Sequence, residues 1–212
     1  MRITLLLLSL LVSQNVFSST LKLNYSLFFG YMKTMYKLDY QDVTTAFYLV
    51  EPKTGNQCVI DQAEMVVDNK REPIDFQPQG RLLPFYSDQH RKDGAMIEVE
   101  TVLDQACALQ VTLMAKESQL NALTFGKLAA ISEQLEGVLR KNAGMIGKYF
   151  LPTYQGLRFK LAYPIEATSA LPDGHQLASN GDLLIANDTL QSMPADELFS
   201  YKVLRITPWI VN

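Results

Sequence analysis

An unbroken apolar run from Ile3 to Val12, behind the single charge of Arg2, decides the chemical environment in which the rest of this chain folds. The run is shorter than the roughly 20 residues a helix needs to span a bilayer, and Ser13, Gln14 and Asn15 end it. Val16 and Ser18 precede a cut between Ser18 and Ser19, where signal peptidase takes small or modest side chains. Residues 1–18 are therefore expected to be a signal peptide, with the mature chain beginning near Ser19. A buried core strand or an N-terminal anchor is the alternative, and the length of the run speaks against both. No cysteine follows closely enough to carry a lipid, and no later segment stays apolar for about 18 residues. The expectation is a soluble exported protein, periplasmic in a bacterium, and not an integral membrane protein.

Export changes what the cysteines mean. Cys58 and Cys107 are the only two in the chain. In an oxidising compartment a pair with no other candidates is most simply one disulfide, and closing a loop of that length stabilises a fold by roughly 4 kcal/mol at most. Two free buried thiols are the alternative, because sequence does not bring their Cβ atoms into bonding range. A zinc site would need two further ligands, and neither His90 nor His175 stands at metal spacing from the cysteines. No metal and no cofactor is expected. The formal charge is -3 and becomes more negative without Arg2, and no basic stripe stands out, which argues against nucleic acid as a partner. Hydrophobic residues make up 48% of the chain, which argues against disorder.

Along the mature chain, Leu21 to Tyr25 alternates as a strand does, and Ser26 stands where a helix N-cap would. Leu27, Phe28, Tyr31, Met35 and Leu38 then recur at helical spacing. Val43 to Val50 is β-like, a turn follows over residues 52–56, and Cys58 to Val67 resumes the pattern, which predicts a hairpin. Pro73, Pro78 and Pro84 make the next stretch an edge or a loop. Ala95 to Val102 and Cys107 to Met114 predict a second hairpin. The cysteines would then join neighbouring strands of one sheet, or a strand and the turn beside it. Thr124 can cap the longest helix, running to about Tyr149 through Leu128, Ile131, Leu135 and Val138. Gly137, Gly144 and Gly147 each lower its propensity by about 1 kcal/mol, which implies close packing or a bend. After Gly156 come short β-like runs, too few residues for a comfortable independent domain.

Catalytic constellations are missing from this pattern. There is no Gly-x-Ser-x-Gly elbow and no cysteine with a histidine partner. His90 and His175 read as solvated, with nothing nearby in sequence to orient them. Glu98 with Glu100, and Asp196 with Glu197, read as solvated faces. Residues 144–147 lack the lysine and hydroxyl of a phosphate-binding loop. One apolar feature stays open: Phe28, Tyr31 and Met35, together with Met145, Tyr149 and Phe150, would line a groove for a lipid or partner peptide if the two helices lie side by side. Ordinary core packing is the alternative.

The order of features resembles an exported Gram-negative family catalogued as domain of unknown function 2987. The resemblance rests on Tyr25 and Ser26, on Phe47, Leu49 and Val50 before Gly55, Cys58 and Ile60, and on Cys107 opening a later strand. It continues through Gly144, Met145, Tyr149, Phe150 and Pro152 to Val203, Leu204, Arg205, Pro208 and Ile210. Residues 76–90 and 188–197 match least. The resemblance implies export, a paired-cysteine α+β core and no assigned activity, hence no catalytic residues to carry over.

The sequence therefore predicts an α+β fold, an antiparallel sheet packed with two main helices over residues 19–155, followed by a small β-rich C-terminal unit over 156–212. The expected role is non-enzymatic, binding a protein, peptide or lipid partner in the cell envelope. A hydrolase using Asp and Glu residues assembled by the fold, and a lipid or peptide carrier, are the alternatives.

Overall fold

The computed structural model describes residues 20–102, 106–147, 153–166 and 171–211, with the side chains of 144–147 outside the description. The fold is α+β, and its described strands form three antiparallel four-stranded sheets. The first sheet carries β1 (Thr20–Asn24), β7 (Met96–Thr101), β3 (Ile60–Val67) and β4 (Lys70–Pro73), in that spatial order. The second carries β5 (Asp75–Gln77), β6 (Arg81–Leu83), β2 (Val43–Val50) and β8 (Ala108–Ala115). Alternation gives each an inward apolar face: Ile60, Ala63, Met65, Ile97 and Val99 from the first meet Phe47, Leu49 and Leu82 from the second in one cluster. The N-terminal part is thus two facing sheets, where the sequence suggested one.

Both predicted hairpins are corrected by this arrangement. β2 and β3 are consecutive but lie in different sheets, and so do β7 and β8. Alternation shows that a strand has one wet and one buried face without naming its neighbour, so strands adjacent in sequence need not pair with each other. A hairpin does join β3 to β4 across Asp68, whose φ is 51°. The prolines fall as expected, with Pro73 closing an edge strand.

Cys58 and Cys107 are bonded, with Cα atoms 6.4 Å apart. Cys58 lies between β2 and β3, and Cys107 immediately precedes β8. The bridge therefore ties together two of the places where the chain changes sheets, β2 to β3 and β7 to β8, not two neighbouring strands. Gly80 packs beside it: its φ is +82°, and a Cβ there would stand 2.8 Å from the Cys58 carbonyl oxygen and 2.9 Å from that of Leu49.

Helix α1 (Ser26–Leu38) follows β1 directly and inserts Tyr25, Phe28 and Phe29 into the sandwich core, with the Phe28 and Phe47 rings 4.9 Å apart. Ser26 is not its cap. The Asn24 side chain instead accepts from both the Ser26 N–H and hydroxyl, at 2.9 and 2.5 Å.

A short helix α2 (Asp88–Lys92) links β6 to β7. The long helix α3 (Phe125–Gly147) opens on Thr124, whose hydroxyl accepts from the Lys127 N–H at 3.2 Å. The end of the predicted helix, from residue 148 to about Tyr149, lies outside the described residues. Leu128, Ile131, Leu135 and Val138 are fully buried, and Gly137 admits the Tyr40 ring against the helix backbone. The third sheet covers α3. It orders β10 (His175–Leu177), β11 (Leu183–Ala186), β9 (Thr153–Leu161) and β12 (Val203–Val211), with helix α4 (Asn187–Ser192) after β11. Leu157, Phe159, Leu183, Ile185 and Ile206 meet α3 in a second cluster, which Val43 and Ala115 of the sandwich also enter.

Polar contacts seal the joint between the two regions. Asp42, only 8% exposed, accepts from Lys127 Nζ at 2.6 Å and from Gln134 Nε2 at 2.7 Å, while Gln134 Oε1 takes the Asp42 N–H. Among the described residues, no helix is long and apolar enough to cross a membrane.

Candidate functional site

Two strands end up at sheet edges for reasons of topology alone. Among the described residues, β8 pairs only with β2, and β12 pairs only with β9. The two edges approach to within 8 Å of each other without hydrogen-bonding. Between them opens a cleft of about 500 Å³, within the range of small-molecule sites. Gln110, Val111, Thr112 and Leu113 line it in succession, so the free edge of β8 faces the space. Arg205, Thr207, Pro208 and Ile210 of β12 form the opposite wall. Tyr31 of α1 and Leu139, Asn142 and Ala143 of α3 also line it, so sandwich, helix and third sheet all contribute.

The register of the third sheet gathers its charges. Thr207 stands opposite Arg158, and Arg205 is two residues from Thr207 along the same strand, so both guanidiniums rise from one sheet face. Leu184 stands opposite Arg158 on the other side, which brings Asp182 to that face as well. Arg158 Nη1 is 4.0 Å from Asp182 Oδ2, too far for a hydrogen bond. Asp182 Oδ2 accepts instead from Asn180 Nδ2 at 2.9 Å. Arg158 Nε is buried and has no hydrogen-bond partner among the described residues, and Thr45 Oγ1, also in the lining, is in the same condition. Arg205 makes no hydrogen bond or ion pair among the described residues. Buried donors without partners are rare, because each forgoes the water it gave up on folding.

The residues that the sequence grouped into an apolar groove separate. Phe28 is fully buried in the sandwich core. Tyr31 reaches the β8–β12 cleft. Met35 lines a different cavity of about 350 Å³ with Met32, Phe47 and Tyr86. Of their expected partners, Tyr149 and Phe150 lie outside the described residues, as does the side chain of Met145. Nothing in the sequence pointed to Arg158 or Arg205 as a pair. The one signal was a charged residue at alternate positions between the apolar residues Leu157, Phe159 and Leu161, namely Arg158 and Lys160 in β9.

The family of proteins described as "Protein of unknown function (DUF2987)" matches residues 17–161, more than half of the chain. The chain belongs to this family. No curated protein and no solved structure matches it. The DUF2987 segment ends at Leu161, the last residue of β9, and so takes in the sandwich, α3 and Arg158. It leaves Asp182, Arg205 and the β12 wall beyond the match, narrower than the resemblance drawn from the sequence.

Elsewhere in this DUF2987 protein, polar side chains meet in ways the sequence did not foretell. His90 is firmly oriented: its Nδ1 lies 2.8 Å from Ser87 Oγ, its Nε2 3.4 Å from Glu72 Oε2, and the Phe85 ring meets it edge-on. Ser87 is at the same time the cap of α2, accepting from the His90 N–H at 3.2 Å, and a capping turn accounts for the pair. Glu98 is no freely solvated carboxylate either. It bonds Lys22 and Arg71, each at 2.8 Å, and those hydrogen bonds hold its carboxyl below the usual range. That is the reverse of what a general acid needs. Ser132, fully buried on α3, donates to Asn187 Oδ1 at 2.9 Å, and Tyr154 donates to the Ser132 carbonyl at 3.1 Å. Burial pushes the Tyr154 phenol pKa far up, so this hydroxyl stays neutral and ties α3 to the third sheet. Among the described residues, no cluster of three or more His, Cys, Asp or Glu side chains could hold a metal ion.

Proposed function

We propose that this DUF2987 protein is an exported binding protein of the cell envelope, that it acts without catalysis, and that the cleft between β8 and β12 takes its ligand. The observation that carries the reading is the mixed wall of that cleft. Leu113, Leu139 and Ile210 offer apolar surface, while Arg158 and Thr45 offer buried polar atoms with no hydrogen-bond partner among the described residues. A packed joint has no use for unpartnered donors, whereas a ligand would satisfy them. Export is supported by the apolar leader and by a disulfide of the kind that persists in oxidising compartments.

Native mass spectrometry of the protein purified without detergent from periplasmic extract tests both parts. The mature mass should begin at Ser19, and a fraction should carry a noncovalent adduct. Ala143→Phe, which fills the cleft from the α3 side, should lose that adduct while melting as the parent does. An adduct retained by the filled variant would remove the cleft from the reading, and a mass that includes the leader would remove export.

A further inference from the structure

We propose that the cleft selects an organic anion, a carboxylate or phosphate monoester carried on an apolar chain, with Arg158 and Arg205 gripping the charged head. The proposal rests on the reading of the β8–β12 cleft as a binding site and specifies what enters it.

The two arginines are diagonal neighbours on adjacent strands of one sheet. Arg158 is opposite Thr207, and Arg205 is displaced from Thr207 by two residues. Such diagonal positions have Cα atoms about 7–8 Å apart, a span over which two guanidiniums can converge on one anion. Neither hydrogen-bonds a carboxylate among the described residues. Asp182 stands 4.0 Å from one arm of Arg158 and is occupied by Asn180, the Nε of Arg158 is buried without a partner, and Arg205 has none among the described residues. Two cations against one carboxylate leave the site with an excess of one positive charge. A planar fork with free N–H groups matches carboxylate and phosphate oxygens in pairs, and Thr207, opposite Arg158 and two residues from Arg205, also lines the cleft.

The rest of the lining excludes a small inorganic ion as the full answer. The cleft has room for about 500 Å³, and Tyr31, Leu113, Leu139 and Ile210 present apolar or aromatic surface that phosphate alone would leave uncovered. Burial of such surface contributes about 25 cal/mol per Å², so a chain attached to the head raises affinity. The occupant with both properties is an amphiphilic anion of one chain.

Calorimetric titration of the mature protein with decanoate, decyl phosphate, 1-decanol and inorganic phosphate, all below micelle formation, tests this. Trp209, the single tryptophan, lies between the lining residues Pro208 and Ile210 and supplies a fluorescence readout at the site. Decanoate or decyl phosphate should bind at least tenfold tighter than 1-decanol, and whichever is tighter names the head group. Arg158→Gln and Arg205→Gln should each remove most of that preference, and Arg205→Lys, which keeps charge but loses the fork, should restore part of it. Thermal melting of each variant verifies folding, and the lysine variant keeps the proposal testable should a glutamine variant fail to fold. Equal affinity for 1-decanol, inorganic phosphate binding as tightly as decyl phosphate, or no binding of either amphiphilic anion would overturn the proposal. Ala143→Phe separates the two failures. If it abolishes binding while 1-decanol competes equally, only the anion preference falls; if decyl phosphate binds the filled variant unchanged, the cleft itself is wrong.

Discussion

The sandwich and the third sheet solve the same problem, a half-apolar sheet that must be covered, in opposite ways. In the sandwich one sheet covers the other, and the crossings between them are stapled by Cys58 and Cys107. The third sheet is covered by α3 and depends on packing and on the Ser132, Tyr154 and Asn187 bonds, with no covalent link. A sandwich closes its faces but leaves edges, and so does a sheet laid on a helix. In this chain one edge from each region, β8 and β12, meets the other without pairing. The lesson is that the space for a ligand arises where two complete cores adjoin, built from edges neither core requires.

If the disulfide is what holds the sheet crossings together, removing it should have the largest effect on stability. Cys58→Ser with Cys107→Ser is expected to cost roughly 4 kcal/mol in urea unfolding of the oxidised protein. Hydrogen exchange should speed first in β3 and β8 while α3 stays protected. Uniform acceleration through both regions would erase the distinction between them.

The counterpart in the third sheet is Gly156, where a Cβ would overlap the Ile185 carbonyl oxygen. Gly156→Ala should destabilise by about 3 kcal/mol, since that obstacle is backbone and does not turn aside. A smaller step in the same region is Tyr154→Phe, which removes the hydroxyl bonded to Ser132. About 1 kcal/mol should be lost in chemical denaturation, because Ser132 keeps its bond to Asn187. A loss above about 3 kcal/mol would mean that the network, and not the packing on α3, holds this sheet.

The smallest effect is electrostatic and belongs to the sandwich. Lys22 and Arg71 hold the Glu98 carboxyl below its ordinary 4.5, so the folded state binds that proton less readily than the unfolded chain. The stabilisation is therefore present above pH 4.5 and fades as pH falls through the lowered value. Arg71→Ala should return Glu98 toward its ordinary pKa, narrowing the loss of melting temperature between pH 5 and 3. An unchanged acid limb would show that solvent already screens the pair.

Much of this fold was legible. The helical period of Leu128, Ile131, Leu135 and Val138, the capping Thr124 and the β-like runs at β2, β9, β11 and β12 all follow from local spacing. Pairing was not, because alternation carries no address: β2 and β3 looked like a hairpin and lie in separate sheets. Three-residue strands such as β5, β6 and β10, and the single-turn scale of α4, are too short to express a period. The cleft was the least legible feature. Phe28, Tyr31 and Met35 share a helix face in sequence, yet the twist of the packing sends one to the core and the other two to different cavities. Arg158 and Arg205 are far apart in the chain and become neighbours only through the β9–β12 register.

Hydrogen exchange of the mature protein with and without decyl phosphate tests most directly whether the joint between the two regions is the binding site. Added protection is expected at residues 110–113 of β8 and 205–210 of β12, with the sandwich interior unchanged. Protection centred on β5 and β6, or none along either free edge at saturating decyl phosphate, would contradict it.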